Sequence, residues 1–238
     1  GTFVKEQRIA PRTLSDGSVW DIAFSRDRAQ KYLYLADGKN ERIYVIDRQS
    51  LEVLTSFGDG GRQPGQFFAV HSIATDSKGN IYITDGYVNS RVAKYSKAGD
   101  WVKSWGTRGT GPSQFNTPHA VVIDRNDRIY VGDRANRRIQ VFDTDGKFQR
   151  EIRIDIPAPP TAKRWMANVA DGEAVPSNHT PGSPWTVCIT PGPTQYLYTS
   201  DSFPGRIYKM TLDGKVVGML GTSGRQVKQF GWIHQLAC

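Results

Sequence analysis

The sequence predicts an all-β fold made of repeated four-stranded units, and two observations predict it. Four short β-rich runs each end in an aspartate that an arginine follows five or six residues later. The first three of these aspartates, Asp37, Asp85 and Asp133, are spaced 48 residues apart. Turns that contain Gly, Asn or Asp separate the runs within each repeat, as between neighbouring antiparallel strands.

The length of the repeat indicates the architecture. Four-stranded units that recur every 40 to 50 residues or so are typical of β-propeller blades. The sequence therefore predicts a single propeller domain over 1–238. Four complete blades are expected at about 18–58, 66–106, 114–154 and 184–221.

The two ends of the chain each resemble one strand of a blade. Residues 1–11 match the outer strand of the third unit, and residues 230–238 match an inner first strand. We expect two terminal strands and a place in a six-bladed ring, because a blade without its middle strands would leave unpaired edges. The interval from Asp133 to Asp201 is 20 residues longer than the repeat. The excess is a Pro-rich inserted loop at 155–183, which we expect to cover one mouth of the channel.

Composition limits the classes of partner. The net charge of +8 favours anionic ligands, but the basic residues are spread along the chain and are typical of a solvated surface. Nucleic acid is not expected as a partner, because no alternation of aromatic and basic residues marks a nucleotide platform. No run of 18 apolar residues is present, so the sequence predicts no membrane span.

Two pairs of residue types suggest structural roles. Each repeated aspartate and its arginine are expected to form a charge-assisted hydrogen bond that fixes the turn between the second and third strands. The two cysteines, Cys188 and Cys238, lie in apolar strand-like runs. We expect them to be small buried side chains rather than a disulfide.

Three histidines follow a Gln-Phe pair at the same spacing, with Phe four residues before His. Because the first strand of each blade lines the channel of a propeller, equivalent positions form a ring. That ring consists of Trp20, His71, His119, Trp185 and His234. Imidazoles that converge from separate blades can bind zinc, copper, iron or nickel. The alternative is that each histidine bonds a neighbouring blade's backbone and closes the channel.

The motifs of the chain resemble a known repeat class. The Gly-x-x-x-x-Gly-x-Phe spacer, the apolar strand and the Asp-x-x-x-Asn-x-Arg turn look like NHL repeats over nearly the whole chain. Within 66–154, the runs at 85–91, 114–119 and 133–140 are similar to the peptidyl-α-hydroxyglycine α-amidating lyase family. Members of that family are six-bladed zinc propellers that cleave a C–N bond and release a peptide amide and glyoxylate.

The resemblance implies roles for individual residues. His119 and His234 match two of the family's three zinc-binding histidines, Tyr87 matches its active-site tyrosine, and Arg134 matches an arginine near the substrate. The family's third zinc histidine falls in the first blade, where this chain has a tryptophan, so His71 becomes the third candidate ligand. The resemblance also implies a calcium site, in a blade that this chain does not contain, and a periplasmic or extracellular location.

Two function hypotheses are consistent with these patterns, and the sequence leaves open whether the chain is an enzyme. The first is an NHL-type propeller that binds a peptide, glycan or protein partner at the channel mouth. The second is a metal-dependent carbon–nitrogen lyase in which Tyr87 is the base and Arg134 binds the substrate. Under either hypothesis the candidate substrate-binding residues are Trp20, Trp185 and Arg91.

Overall fold

A computed structural model describes residues 2–7, 9, 19–162 and 179–238. Four antiparallel sheets of four strands follow one another along the chain, and in each the strands are neighbours in sequence order. We call these sheets blades 1 to 4. Blade 1 consists of Val19–Phe24, Tyr32–Asp37, Arg42–Asp47 and Val53–Phe57, and blade 2 of Val70–Thr75, Ile81–Asp85, Arg91–Tyr95 and Trp101–Trp105. Blade 3 consists of Pro118–Ile123, Ile129–Asp133, Arg138–Phe142 and Phe148–Ile152, and blade 4 of Thr186–Ile189, Tyr196–Ser200, Ile207–Thr211 and Val216–Leu220.

Short elements connect the blades. A 3-10 helix at Arg134–Asn136 follows the second strand of blade 3. Three two-residue parallel pairs precede blade 2, blade 3 and the C-terminal segment, and each contains a Gln-Phe pair. They are Asp59–Gly60 with Gln66–Phe67, Thr107–Arg108 with Gln114–Phe115, and Thr222–Ser223 with Gln229–Phe230.

The hydrophobic core lies between blades rather than at one centre. Separate clusters of buried apolar side chains fill the interfaces between blades 1 and 2, blades 2 and 3, and blades 3 and 4. Buried tyrosines tie neighbouring blades together, since the hydroxyl of Tyr82 in blade 2 donates to the carbonyl oxygen of Thr144 in blade 3. The first strands of consecutive blades lie side by side along the channel. The predicted all-β propeller of four-stranded blades is confirmed.

The expected aspartate–arginine pair forms in the two middle blades. Nε of Arg91 lies 3.0 Å from a carboxylate oxygen of Asp85 in blade 2, and Nε of Arg138 lies 2.9 Å from Asp133 in blade 3. Both aspartates are fully buried, so the pair neutralises a carboxylate that water does not reach.

In blade 1 that expectation is wrong, and in blade 4 the hydrogen bond forms through the backbone, where the N–H of Arg206 donates to a carboxylate oxygen of Asp201 at 3.0 Å. Arg42 of blade 1 pairs instead with Asp59 beyond the last strand of its blade, at 3.1 Å. In blade 4 the guanidinium of Arg206 donates to the carbonyl oxygens of Ile156 and Pro157. The inserted loop therefore supplies the acceptors that an aspartate supplies in the middle blades.

The expectation for the cysteines is also wrong. Cys188 in the first strand of blade 4 and Cys238 form a disulfide, with Cα atoms 5.8 Å apart. The two residues are 50 positions apart in sequence, and the fold returns the C-terminal segment to the same strand. This proximity is a tertiary property that the apolar context of each cysteine does not show.

The terminal segments differ from the two strands expected at 1–11 and 230–238. The described residues of the first, 2–7 and 9, contain no strand, and residues 231–238 also contain none. Of the inserted loop, 163–178 lie outside the described residues. No helix in the described part of the chain is long and apolar enough to cross a membrane.

Candidate metal centre

A register shift directs two of the predicted histidines to the central channel. In blade 2 the pairing of the first two strands slips between Val70 and Ser72, which leaves His71 as the unpaired residue. The same irregularity in blade 3 makes His119 the unpaired residue. A β-bulge re-aims a side chain and is frequent beside functional sites. Both imidazoles therefore line the channel cavity.

The third histidine reaches the same place from the C-terminal segment. His234 belongs to no strand, and its neighbours hold the segment in place. The hydroxyl of Ser200 donates to the carbonyl oxygen of Ile233 at 2.9 Å, and Nε2 of Gln235 donates to a carboxylate oxygen of Asp21 at 3.1 Å. The disulfide anchors the end of the segment to blade 4.

The three imidazoles converge on one point. One ring nitrogen from each of His71, His119 and His234 lies within 4.8 Å of the others. The ring centroids of His71 and His119 are 3.4 Å apart, and those of His234 are 5.5 and 5.2 Å from them. Zinc binds histidine nitrogens at about 2.0–2.1 Å, so modest rotations of the rings would bring all three to one ion.

The hydrogen bonds of the cluster leave lone pairs free for a metal ion. Nδ1 of His119 lies 2.7 Å from the carbonyl oxygen of Trp185. A carbonyl oxygen only accepts, so Nδ1 carries the proton and Nε2 carries the lone pair. That Nε2 atom and Nδ1 of His71 are both buried without a hydrogen-bond partner among the described residues. Buried nitrogens of this kind are rare, and a metal ion would satisfy both, so the donor set fits the implied group.

Electrostatics keep the imidazoles neutral. Burial first of all, together with repulsion from His234 and Arg134, lowers the pKa of His71 to about 3. Burial likewise lowers the pKa of His119 well below its ordinary value, and it lowers the pKa of His234. Neutral imidazole is the form that binds metals, so protonation of these side chains would not prevent an ion from binding at neutral pH.

Tyr87 lies beside the histidines because its loop packs directly on blade 3. A Cβ atom on Gly86 would lie 2.0 Å from the carbonyl oxygen of Pro118, so only glycine allows this approach. The ring of Tyr87 is then 5.9 Å from that of His71 and 6.1 Å from that of His119, measured between centroids. The tyrosine is 41% exposed.

Arg134 supplies a buried positive charge next to the cluster. Its side chain is 4% exposed, and Nη1 donates to the hydroxyl of Tyr87 at 3.4 Å. The guanidinium carbon lies 5.3 Å from the ring centroid of Tyr87 and 4.2 Å from that of Trp185. Within the described ranges no carboxylate pairs with Arg134, and its Nε is buried without an acceptor. Burial lowers the pKa of the guanidinium, which is the cost of a cation without a counter-ion.

The structure brings Trp20 into the site but not Arg91. The ring centroid of Trp20 is 5.2 Å from that of His71 and 5.7 Å from that of Tyr87. Arg91 instead pairs with Asp85 and donates to backbone carbonyl oxygens of the loop before blade 2. Its guanidinium fixes a turn and is not free to bind a ligand.

Two further residues belong to the site although sequence reasoning missed them. The ring of Trp232 is 4.8 Å from that of Trp185 and 5.5 Å from that of His234. The ring of His179 is 5.1 Å from that of Trp185, and its Nδ1 lies 3.0 Å from the hydroxyl of Ser202. The position of Trp232 inside the third Gln-Phe motif is the signal that could have identified it, whereas His179 lies in no motif.

Comparison with known proteins agrees with the fold. A family model described as a 6-bladed β-propeller matches residues 69–163. No curated protein matches the chain. Together with the four blades, the family model places the chain in the class of β-propellers.

Several solved structures, which belong to differently named proteins, have the same fold. The chain is similar to hydrazine synthase from Kuenenia stuttgartiensis, with a TM-score of 0.58, 14% identity, and coverage of 92% of this chain and 52% of that one. A catalytically inactive virginiamycin B lyase from Staphylococcus aureus, solved with quinupristin, has a TM-score of 0.57 and 15% identity, and the match covers 85% of this chain and 56% of that one. U3-55K has a TM-score of 0.59 and 10% identity, with coverage of 90% and 54%. The chain thus spans about half the length of these structures, and at such identities they show the fold alone.

Proposed function

We propose that this propeller binds a transition-metal ion through His71, His119 and His234, and that the centre and Arg134 together bind a ligand that carries a carboxylate. One observation supports the proposal above all others. Nδ1 of His71 and Nε2 of His119 are buried near Tyr87, and no described residue donates a hydrogen bond to either nitrogen. The guanidinium of Arg134 lies beside Tyr87, and the described residues provide no carboxylate as its counter-ion. Zinc suits a set of neutral imidazoles, and arginine is suited to binding carboxylates.

The ligand enters at the channel mouth. Tyr87 and Trp232 expose aromatic surface beside the histidine cluster, which favours a peptide, a glycan or a loop of a protein partner. The buried guanidinium favours a ligand with a terminal carboxylate, as a peptide has. These features support binding without specifying a reaction.

Metal titration tests the centre. Chelator-washed protein is titrated with zinc chloride by calorimetry, and bound zinc is counted by plasma mass spectrometry. We expect one zinc ion per chain, loss of binding in His119→Ala, and unchanged binding in His179→Ala, which removes the histidine outside the cluster. Wild-type protein without zinc, or zinc retained by His119→Ala, would refute the proposal.

A lyase similar to the amidating family is the second candidate, and the contact between Tyr87 and Arg134 favours it. Arg134 would hold the terminal carboxylate of a peptidyl hydroxyglycine in bidentate fashion. The oxygen of Tyr87 would take the proton from the substrate hydroxyl, and the carbonyl of glyoxylate would form as the C–N bond breaks and the amide nitrogen gains a proton. A metal ion held by the histidines would supply Lewis acidity at that hydroxyl.

Release of glyoxylate from a peptidyl-α-hydroxyglycine tests this second candidate. Wild-type protein should release it, and Tyr87→Phe should reduce the rate by at least about a hundredfold, since general-base catalysis contributes that much. Zinc affinity should not change in this variant. A wild type that binds zinc and the peptide but releases no glyoxylate would exclude the lyase and leave the binding function.

The four blades are proposed to be part of a six-bladed ring of the NHL type that works in the periplasm or outside the cell. The six-bladed family model supports the ring. The disulfide supports the location, because disulfides persist in oxidising compartments. The calcium site stays a prediction.

A further inference from the structure

Trp232 departs from the repeat at the edge of the metal centre. It stands two residues before His234, and the same place before His71 and His119 is taken by Ala69 and Thr117. Both His71 and His119 are buried although no large side chain stands two residues before them. The propeller architecture therefore does not require a tryptophan here, and 43% of its surface is exposed.

The tryptophan is held in a fixed orientation. Its ring meets that of Trp185 edge-on, at an interplanar angle of 87° and a centroid distance of 4.8 Å. Trp185 is buried and carries the guanidinium of Arg134 over its own face. His179 packs against both tryptophans, at 5.1 and 6.3 Å, and its Nδ1 is tied to Ser202. A rigid aromatic wall thus stands directly beside the unpaired buried cation.

We propose that Trp232, Trp185 and His179 form an aromatic subsite that binds a planar apolar group, such as a phenyl ring, adjacent to the carboxylate of the ligand. The inference rests on the proposed carboxylate binding at Arg134 and adds the ligand class. A carboxylate at Arg134 brings the group next to it within reach of the indole of Trp232, because Trp185 touches both. Aromatic pairs prefer edge-to-face or offset contacts, and the 43% exposed surface of Trp232 is available for such a contact.

The two subsites select for different parts of one molecule. The guanidinium recognises charge and is indifferent to the rest of the ligand beyond its carboxylate. The aromatic wall recognises a ring and adds affinity only when the ring is present. Ligands that share a carboxylate and differ by one ring therefore separate the two contributions.

Calorimetric titration of the zinc-loaded protein with N-acetylphenylalanine and N-acetylalanine tests the subsite. We expect the first to bind about tenfold more tightly, the gain typical of a well-packed aromatic contact. In Trp232→Thr, which places the residue of the second motif in the third, the two ligands should bind with equal affinity. Trp101→Ala is the matched control, because it removes a 39% exposed tryptophan from the outer strand of blade 2.

The possible results separate failure of the aromatic subsite from failure of the proposed carboxylate binding at Arg134. Equal affinity for the two ligands in the wild type, or a preference that survives in Trp232→Thr, would overturn the subsite and leave carboxylate binding intact. Failure of both ligands to bind would overturn both proposals. The same comparison in metal-free protein, and the urea midpoint of each variant, show that a lost preference is local rather than a loss of fold.

Discussion

The two halves of the histidine cluster are held by different means. His71 and His119 stand on the first strands of the two middle blades, where strand pairing and buried ion pairs fix the backbone. His234 lies on a segment without strand structure, which two side-chain hydrogen bonds and a disulfide hold in place. The blades therefore preorganise two ligands, and the third depends on a tether. The free energy of unfolding should depend mainly on the blades that hold His71 and His119. Metal affinity should depend on these blades and on the segment that holds His234.

The largest effect is expected from a substitution that disrupts the blades that hold His71 and His119. Arg138→Ala leaves the carboxylate of Asp133 buried without its partner, which should cost about 3–5 kcal/mol of unfolding free energy. Arg42→Ala, which removes the partly exposed pair with Asp59 in blade 1, should cost less than about 1 kcal/mol. Urea unfolding of both variants measures the difference. Equal losses would mean that the middle blades are no more dependent on their ion pair than blade 1.

The next largest effect is expected from removal of the disulfide that holds the C-terminal segment. Cys238→Ser opens the link across 50 residues and should cost about 2–4 kcal/mol of unfolding free energy in the chain-entropy description. Zinc affinity should fall as well, because His234 is then ordered only on binding. Wild-type protein reduced with dithiothreitol should behave like the variant. Full zinc affinity in Cys238→Ser would show that the hydrogen bonds alone position His234.

A smaller effect concerns pH in the metal-free protein. The folded-state pKa of His71 is about 3, below the ordinary value of 6.5, so the unfolded chain binds more protons between these values. Its contribution to stability is complete above pH 6.5 and is lost as the pH falls, by about 2 kcal/mol at pH 5. His71→Gln should flatten this dependence, measured as urea midpoints from pH 7.5 to 5. Because burial also lowers the pKa of His119 and of His234, part of the dependence should remain, and a curve as steep as that of the wild type would contradict the assignment.

The repeat explains how much of the molecule could be predicted from the sequence. A 48-residue period is a local pattern, so it predicted the blades, and equivalent positions within it placed His71 and His119 on first strands. The disulfide and the irregular path of the C-terminal segment lie outside that pattern, because they depend on residues far apart in sequence meeting in space. The absence of a carboxylate beside Arg134 among the described residues is also a three-dimensional property, since it depends on which carboxylates the fold keeps away. A repeat thus predicts the blades better than the features that depart from the repeated pattern.

X-ray absorption spectroscopy of the protein loaded with one equivalent of zinc tests the central claim most directly, because it counts the ligands of the bound ion. We expect three imidazole nitrogens at about 2.0–2.1 Å, and two in His234→Ala. A spectrum with at most one imidazole, or one that is unchanged in His234→Ala, would show that the three channel histidines do not form a metal centre.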